Sequence, residues 1–141
     1  MAGRTNIIPS LRYRDAPAAI DFLCNAFGFE RHAVYEGPNN TIAHAQLVLG
    51  SGMVMLGSAT NEGEYSEWVK PPSSKDGVTT QGIYVVIDDC DAHFGRAKAA
   101  GAQILIAPRD EEYGGRDYTC RDLEGHVWSF GTYDPLAASG K

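Results

Sequence analysis

At 141 residues the chain is the size of one ordinary domain, or of two half-domains that must share a core. A net charge of −6 without any basic run opposes a phosphate backbone, which argues against nucleic acid as a partner. No apolar run approaches the roughly 20 residues that a membrane helix needs. Met1–Asn6 holds no apolar segment of a secretory signal, so a soluble cytoplasmic protein is expected.

The first predicted element is a strand with Ile7, Leu11 and Tyr13, stopping at Arg14-Asp15. Asp15 can cap a helix by accepting from its first free amides, and Pro17 is tolerated in that opening turn. Ile20, Leu23 and Phe27 recur at i, i+3 and i+7, and Gly28 closes the helix as a left-handed cap. Strands follow near 29–36, 41–50 and 52–59, divided by Gly37-Pro38-Asn39-Asn40 and Gly50-Ser51-Gly52. Residues 6–59 thus form a β-α-β-β-β unit.

Residues 60–80 are a polar connection with Pro71-Pro72-Ser73-Ser74 and a lone Trp68. Trp68 points to a loop that packs on something rather than a disordered linker. The unit then repeats over 81–134. A strand through Gly82–Asp88 leads to a helix opening at Asp89, with Cys90, Phe94 and Ala97 on one face and Gly101 at its end. Strands are predicted near 102–107, 115–121 and 126–133, the last two joined by Asp122-Leu123-Glu124-Gly125. The two helix caps lie 74 residues apart (89 − 15), so the architecture is a duplication within one domain, 1–141.

Strand alternation assigns faces. Val54 and Leu56, like Trp128 and Phe130, go to the helix side; Met53 and Met55, like Val127 and Ser129, go to the concave side. With Ser51-Gly52 as a two-residue hairpin, His44, Gln46 and Val48 share the concave face with Met55. Tyr84, Met53, Met55, Tyr118 and Trp68 supply an apolar, polarizable lining for a small-molecule cleft. Cys24, Cys90 and Cys120 stand singly, as reduced thiols. Asp110-Glu111-Glu112 reads as a solvated loop. No Gly-rich phosphate loop, Gly-x-Ser-x-Gly elbow or Cys–His nucleophile spacing is present.

The paired β-α-β-β-β pattern, the phrase Arg12-Tyr13-Arg14-Asp15-Ala16-Pro17-Ala18-Ala19-Ile20-Asp21-Phe22 and the ending Tyr118–Phe130 resemble the vicinal oxygen chelate superfamily, in its glyoxalase/bleomycin-resistance-like branch. The resemblance implies an α+β fold: two βαβββ units form a curved mixed β-sheet cleft, with helices on the convex side. The family's Asp-Pro-(Glu/Asp)-Gly turn carries Leu123 in place of proline here.

Metal enzymes of the family draw ligands from the first and last strands of each unit. Transferred to this sequence, those positions fall on Ile8, Met55, Gly82 and Ser129. Isoleucine and glycine offer no donor, a thioether is soft and a serine hydroxyl weak, so no metal or other cofactor is expected. His44, Gln46, Gln81, His126 and His32 remain as candidates, of which only His44 and Gln46 face inward.

The function implied is a metal-free protein of the bleomycin-resistance type, a homodimer by resemblance, that sequesters a small hydrophobic, aromatic or cationic molecule. Its ligand-binding residues are His44, Gln46, Met53, Met55, Trp68, Tyr84, Tyr118 and Ser129. The alternative is a glyoxalase- or dioxygenase-like lyase or isomerase with an unusual metal site, or with an acid–base pair such as His44 and a tyrosine.

Overall fold

A computed structural model describes residues 3–60, 62–74 and 76–137. The first half runs β1 (Ser10–Tyr13), α1 (Ala16–Phe22), β2 (Glu30–Glu36), β3 (Ile42–Leu49) and β4 (Gly52–Ser58). After a short α2 (Tyr65–Trp68), the second half runs β5 (Gly82–Val86), α3 (Cys90–Ala99), β6 (Gln103–Asp110), β7 (Arg116–Arg121) and β8 (Val127–Gly131). Each half makes a four-stranded mixed sheet, ordered β1-β4-β3-β2 and β5-β8-β7-β6. The first strand lies parallel to the last, and the remaining neighbours are antiparallel.

Two compact units result. One takes the chain up to Cys24 and Gly28–Pro71; the other takes Asn25–Phe27 and the chain from Pro72 onward.

Both helices open as their sequences predict. Asp15 Oδ1 accepts from Ala18 N–H (3.1 Å) and Asp89 Oδ1 from Ala92 N–H (3.0 Å). Both also end on a left-handed glycine, Gly28 at φ 91° and Gly101 at φ 105°. Thirteen positions separate cap from glycine in the first copy (28 − 15) and twelve in the second (101 − 89). The extra residue is absorbed by a π-helical turn, Leu23–Phe27, that continues α1 where an unbroken α-helix is expected.

In the first unit, Leu11, Tyr13, Ala19, Ile20, Leu47 and Leu56 form the helix-side core. The second core is aromatic: Phe27 packs 5.3 Å from Trp128 and 4.6 Å from Phe130, ring centre to ring centre, with Tyr118 stacked on Phe130 at 5.5 Å. Burying such side chains contributes on the order of 2 kcal/mol each. The alternation of faces is as predicted: Val54, Leu56, Trp128 and Phe130 are buried, whereas Met53, Met55, Val127 and Ser129 are half-exposed on the opposite face.

Several expectations are corrected. The β3–β4 hairpin turns on Gly50-Ser51, since Leu49 pairs with Gly52. Gln46 therefore stands opposite Met55, a register two residues from that of a Ser51-Gly52 turn; an even shift leaves every side chain on its face. β1 begins only at Ser10, leaving Ile7 and Ile8 exposed ahead of it. β6 runs on through Pro108 to Asp110, because this edge strand needs no amide there and a register shift between Ile106 and Arg109 accommodates the proline. The acidic run is accordingly a solvated loop only in part: Glu112 is exposed in the turn after β6, whereas Asp110 ends that strand opposite Arg116 and the mostly buried Glu111 accepts from Arg109 Nε at 3.3 Å.

Trp68 does not pack inward either. It is 70% exposed. In the single turn of α2 the buried residue is Ser66, whose hydroxyl donates to Gly63 O (2.8 Å), and two residues of helix carry Trp68 to the far side.

Candidate functional sites on the open sheet faces

On each sheet, the face opposite the helix carries the half-exposed side chains. In the first unit β1 contributes Arg12, β4 Met53 and Met55, and β3 His44, Gln46 and Val48. Met55 lies opposite Gln46, and Met53 opposite Val48. The Gln46 amide Nε2 and the His44 Nε2 are in hydrogen-bond contact at 3.1 Å. The His44 ring stacks on Tyr35 with centroids 6.2 Å apart. Arg12 lies over the Tyr65 ring at 5.1 Å, a cation–π contact. This surface is polarizable and nearly uncharged apart from Arg12.

The second unit presents three rows across its strands: Gly82, Val127 and Arg121; Tyr84, Ser129 and Thr119; and Val86, Gly131 and Asp117. In the middle row the Thr119 and Ser129 hydroxyls are hydrogen-bonded at 2.7 Å. Tyr84 Oη donates to Tyr133 O (2.7 Å), and Tyr113 Oη to Asp117 Oδ2 (3.1 Å). Burial, then the hydrogen bond with Glu111, holds the Asp117 carboxyl above its ordinary pKa. Burial and the neighbouring Asp117 raise the Tyr84 phenol as well. Next to the first row, an open groove of about 360 Å³ is lined by Gly77–Gly82, Arg121 and Val127.

The family's ligand positions fit no hard metal. In the first unit Ile8 precedes β1 and Met55 offers only a thioether. In the second Gly82 has no side chain, and the Ser129 hydroxyl is engaged by Thr119. Among the described residues no three His, Cys, Asp or Glu side chains converge where they could hold a metal ion.

Of the residues singled out in the sequence, His44, Gln46, Met53 and Met55 share the open face of the first sheet, and Tyr84 and Ser129 that of the second. Tyr118 does not belong with them. It is fully buried on the helix side, where even-numbered positions of β7 point, and burial pushes its phenol well above the usual range. Trp68 projects from α2 instead of from a sheet face. His32 is exposed on the edge strand β2, and His126 is tied by its backbone amide to Asp122. Cys90 and Cys120 are buried, and burial raises the Cys120 thiol to about 12, which leaves it unreactive.

One residue escapes a search for inward strand histidines. His93, on α3, places Nε2 2.9 Å from Phe27 O and Nδ1 2.6 Å from Tyr118 Oη. A carbonyl only accepts, so Nε2 carries the proton and Nδ1 accepts from the tyrosine. Arg96 Nε likewise donates to Asn25 O (2.8 Å). These two side chains satisfy carbonyls that the end of a helix leaves without intrahelical donors. Burial lowers the His93 pKa and keeps the ring neutral. Its spacing from Cys90 and Ala97, three and four residues, was the available signal.

Comparison with known proteins agrees with this architecture. The model for the Glyoxalase/Bleomycin resistance protein/Dioxygenase superfamily matches residues 6–130. An uncharacterized protein of Mycobacterium bovis is 34% identical over 123 residues, covering 87% of this chain and 80% of its own. The crystal structure of TioX from Micromonospora sp. ML1 superposes with a TM-score of 0.70 at 36% identity, over 90% of this chain and 97% of that one. FosX, a fosfomycin resistance protein of Listeria monocytogenes, shares the fold at a TM-score of 0.68 and 15% identity, over 95% of this chain and 94% of its own. The duplicated βαβββ sheets and the family match together show that this chain belongs to the Glyoxalase/Bleomycin resistance protein/Dioxygenase superfamily.

Proposed function

We propose that this protein binds a small organic molecule on its open sheet faces without a resident metal, as a sequestering protein of the bleomycin-resistance type. The observation that carries this reading is the donor chemistry of Ile8, Met55, Gly82 and Ser129, the last with its hydroxyl already paired to Thr119. What stands on the open faces instead suits ligand contact: the soft, adaptable Met53 and Met55, the His44–Gln46 pair, and the Tyr84 ring. A hydrophobic, aromatic or cationic molecule fits such a lining.

Two measurements test it together. Elemental analysis of protein purified without tag or chelator is expected to find metal far below one equivalent. A thermal-shift panel of planar aromatic and cationic antibiotics is expected to raise Tm, since ligand at a hundred times Kd adds about 2.7 kcal/mol of stability. One equivalent of bound Mn, Fe, Ni or Zn overturns the proposal, as does a panel with no shift at millimolar ligand.

A second reading, an acid–base lyase or isomerase, is favoured by Asp117, whose raised pKa and Tyr113 partner suit proton transfer on the open face. Turnover lost in Asp117→Asn with binding retained would establish it. The proposal also takes the protein to be a cytoplasmic homodimer. Its support is the exposed apolar side chains of Val34 and Tyr35 on β2 and of Val86, Leu105 and Ile106 on β5 and β6. Sedimentation equilibrium giving a mass of one chain at micromolar concentration would remove that part.

A further inference from the structure

Arg121 is the least satisfied cation of the second unit's open face. Among the described residues it makes two hydrogen bonds to protein, one from Nη2 to Gly77 O (3.2 Å). The other runs from Nη1 to the Gln103 amide oxygen (3.3 Å), with that amide turned so that its NH2 donates to Asp76 Oδ1 at 3.1 Å. A guanidinium has five N–H donors. Among the described residues Nε is buried without an acceptor and no carboxylate lies within 4.0 Å of the group. The chain carries −6 overall, yet this half-buried positive charge rests on neutral oxygens, with Asp76 reached only through Gln103.

The charge borders the groove of about 360 Å³, whose other walls are Val78, Thr79, Thr80, Gln81, Gly82 and Val127. The Thr79 hydroxyl is spent on Gln81 O (2.7 Å), whereas those of Thr80 and the Gln81 amide find no protein partner among the described residues. Gly82 adds no side chain to the groove, although a Cβ there would meet Val127 O only at an ordinary contact distance of 3.6 Å. Two residues along β7, about 7 Å away, stands the Thr119–Ser129 hydroxyl pair. That spacing accommodates one aryl ring between an acidic group and a second polar substituent.

We propose that the Arg121 groove seats the acidic group, a carboxylate or a phosphate, of the small molecule that this face binds; the proposal rests on the small-molecule reading above. A planar fork of charged donors is matched by two acceptor oxygens of one anion, which supplies both energy and orientation. The ligand's ring then lies over Val127 toward Ser129 and Thr119, with its far polar group at the hydroxyl pair.

The test uses three probes on the full chain, followed by amide and arginine Nε–H resonances: 4-hydroxybenzoate, phenyl phosphate and the neutral 4-hydroxybenzamide. One of the two acids is expected to shift resonances of residues 77–82 and Arg121, and to bind at least tenfold more tightly than the amide. Whether benzoate or phosphate binds better identifies the acid. Arg121→Gln is expected to lower that affinity tenfold or more, and Arg121→Lys to lower it less. Equal binding of acid and amide, or acid binding unchanged in Arg121→Gln, overturns this inference while leaving small-molecule binding standing. No shift of residues 77–82 or Arg121 with any probe at tens of millimolar also overturns this inference, whereas the small-molecule reading falls only if the antibiotic panel fails as well. If Arg121→Gln does not fold, the acid–amide difference in the unaltered protein, and its loss at high salt, decides the matter.

Discussion

The two halves of this chain have the same strand order and pairing directions, with equivalent positions 74 residues apart (131 − 57), yet the side chains on their open faces differ. Met53 and Met55 of the first sheet become Val127 and Ser129 in the second. The cross-strand partners of these residues change from Val48 and Gln46 to Arg121 and Thr119. The first β-hairpin is closed by Gly50 at φ 58°, the second by a carboxylate cage. A duplicated backbone thus fixes where side chains point and leaves their chemistry free. The polarizable face and the charged, hydroxylated face are separate solutions on one template.

The sharpest way to break the equivalence is at the hairpins. Asp122 is buried and its Oδ1 accepts from the amides of Glu124, Gly125 and His126 at 3.0–3.1 Å, while Oδ2 accepts from Trp128 Nε1 at 3.0 Å. Asp122→Ala removes a carboxylate acceptor from all four donors, leaving Gly125 N–H its bond to Asp122 O (3.2 Å), and is expected to cost ~3 kcal/mol in urea unfolding. Gly50→Ala in the first hairpin meets no atom within 4 Å and strains only a left-handed φ, so ~1 kcal/mol is expected. Equal losses would mean that the cage adds nothing over a permissive turn.

Next come the paired glycines. A Cβ on Gly131 would lie 2.6 Å from Tyr84 Oη and 2.7 Å from Asp117 Cβ; on Gly57 it would meet Arg12 Nη1 at 2.7 Å and Ala43 O at 3.1 Å. The guanidinium can swing aside, but the Asp117 Cβ is fixed by its backbone and the Tyr84 hydroxyl is held by Tyr133. Gly131→Ala is therefore expected to cost ~2 kcal/mol and Gly57→Ala less than half of that. Thermal unfolding of both variants decides, and the reverse ranking would show that the tyrosine is free to move.

These contrasts also explain what was legible in the sequence. Asp15, Asp89, Gly28 and Gly101 announce helix ends through local chemistry, and strand alternation places Met53, Met55 and Ser129 correctly, because neither inference needs tertiary information. The hairpin at Gly50-Ser51 was misplaced by one residue with no harm to the faces, since a two-residue register shift preserves parity. Tyr118 was misassigned by residue type: a tyrosine suggests a lining, but its even position on β7 sends it under α3 to His93. Trp68 was misjudged because a four-residue helix has no second turn to reveal its face. Arg121 and His93 stayed hidden because their partners, Gly77 O and Phe27 O, are backbone atoms far away in sequence.

His93 gives the second unit a pH response through a group the first lacks at that helix. Its pKa is lowered in the fold, chiefly by burial, from an ordinary 6.5. The unfolded chain therefore takes up a proton that the folded chain resists. The His93 contribution is complete above about pH 6.5 and is lost as pH falls below that value through the folded pKa. His93→Gln should flatten the stability–pH slope on that acidic side while costing ~1 kcal/mol at neutral pH. An unchanged slope in urea titrations between pH 7 and 5 would mean that the ring is not held neutral.

The smallest expected effect bears most directly on function. Thr119 and Ser129 lie half-buried on the open face, and their 2.7 Å bond occupies the place where the first sheet sets Gln46 against Met55. Ser129→Ala alone leaves the Thr119 hydroxyl to water and should cost only ~0.5 kcal/mol, as should Thr119→Val. In the double variant the shared bond is lost once, so the cost should fall short of the sum. If the pair also meets the far polar group of a ligand, either substitution should weaken 4-hydroxybenzoate binding several-fold while barely moving Tm. The equivalent change in the first sheet, Gln46→Leu, should lower that affinity less than Ser129→Ala does. A loss of affinity from Gln46→Leu with none from Ser129→Ala would move the ligand from the charged face to the polarizable one.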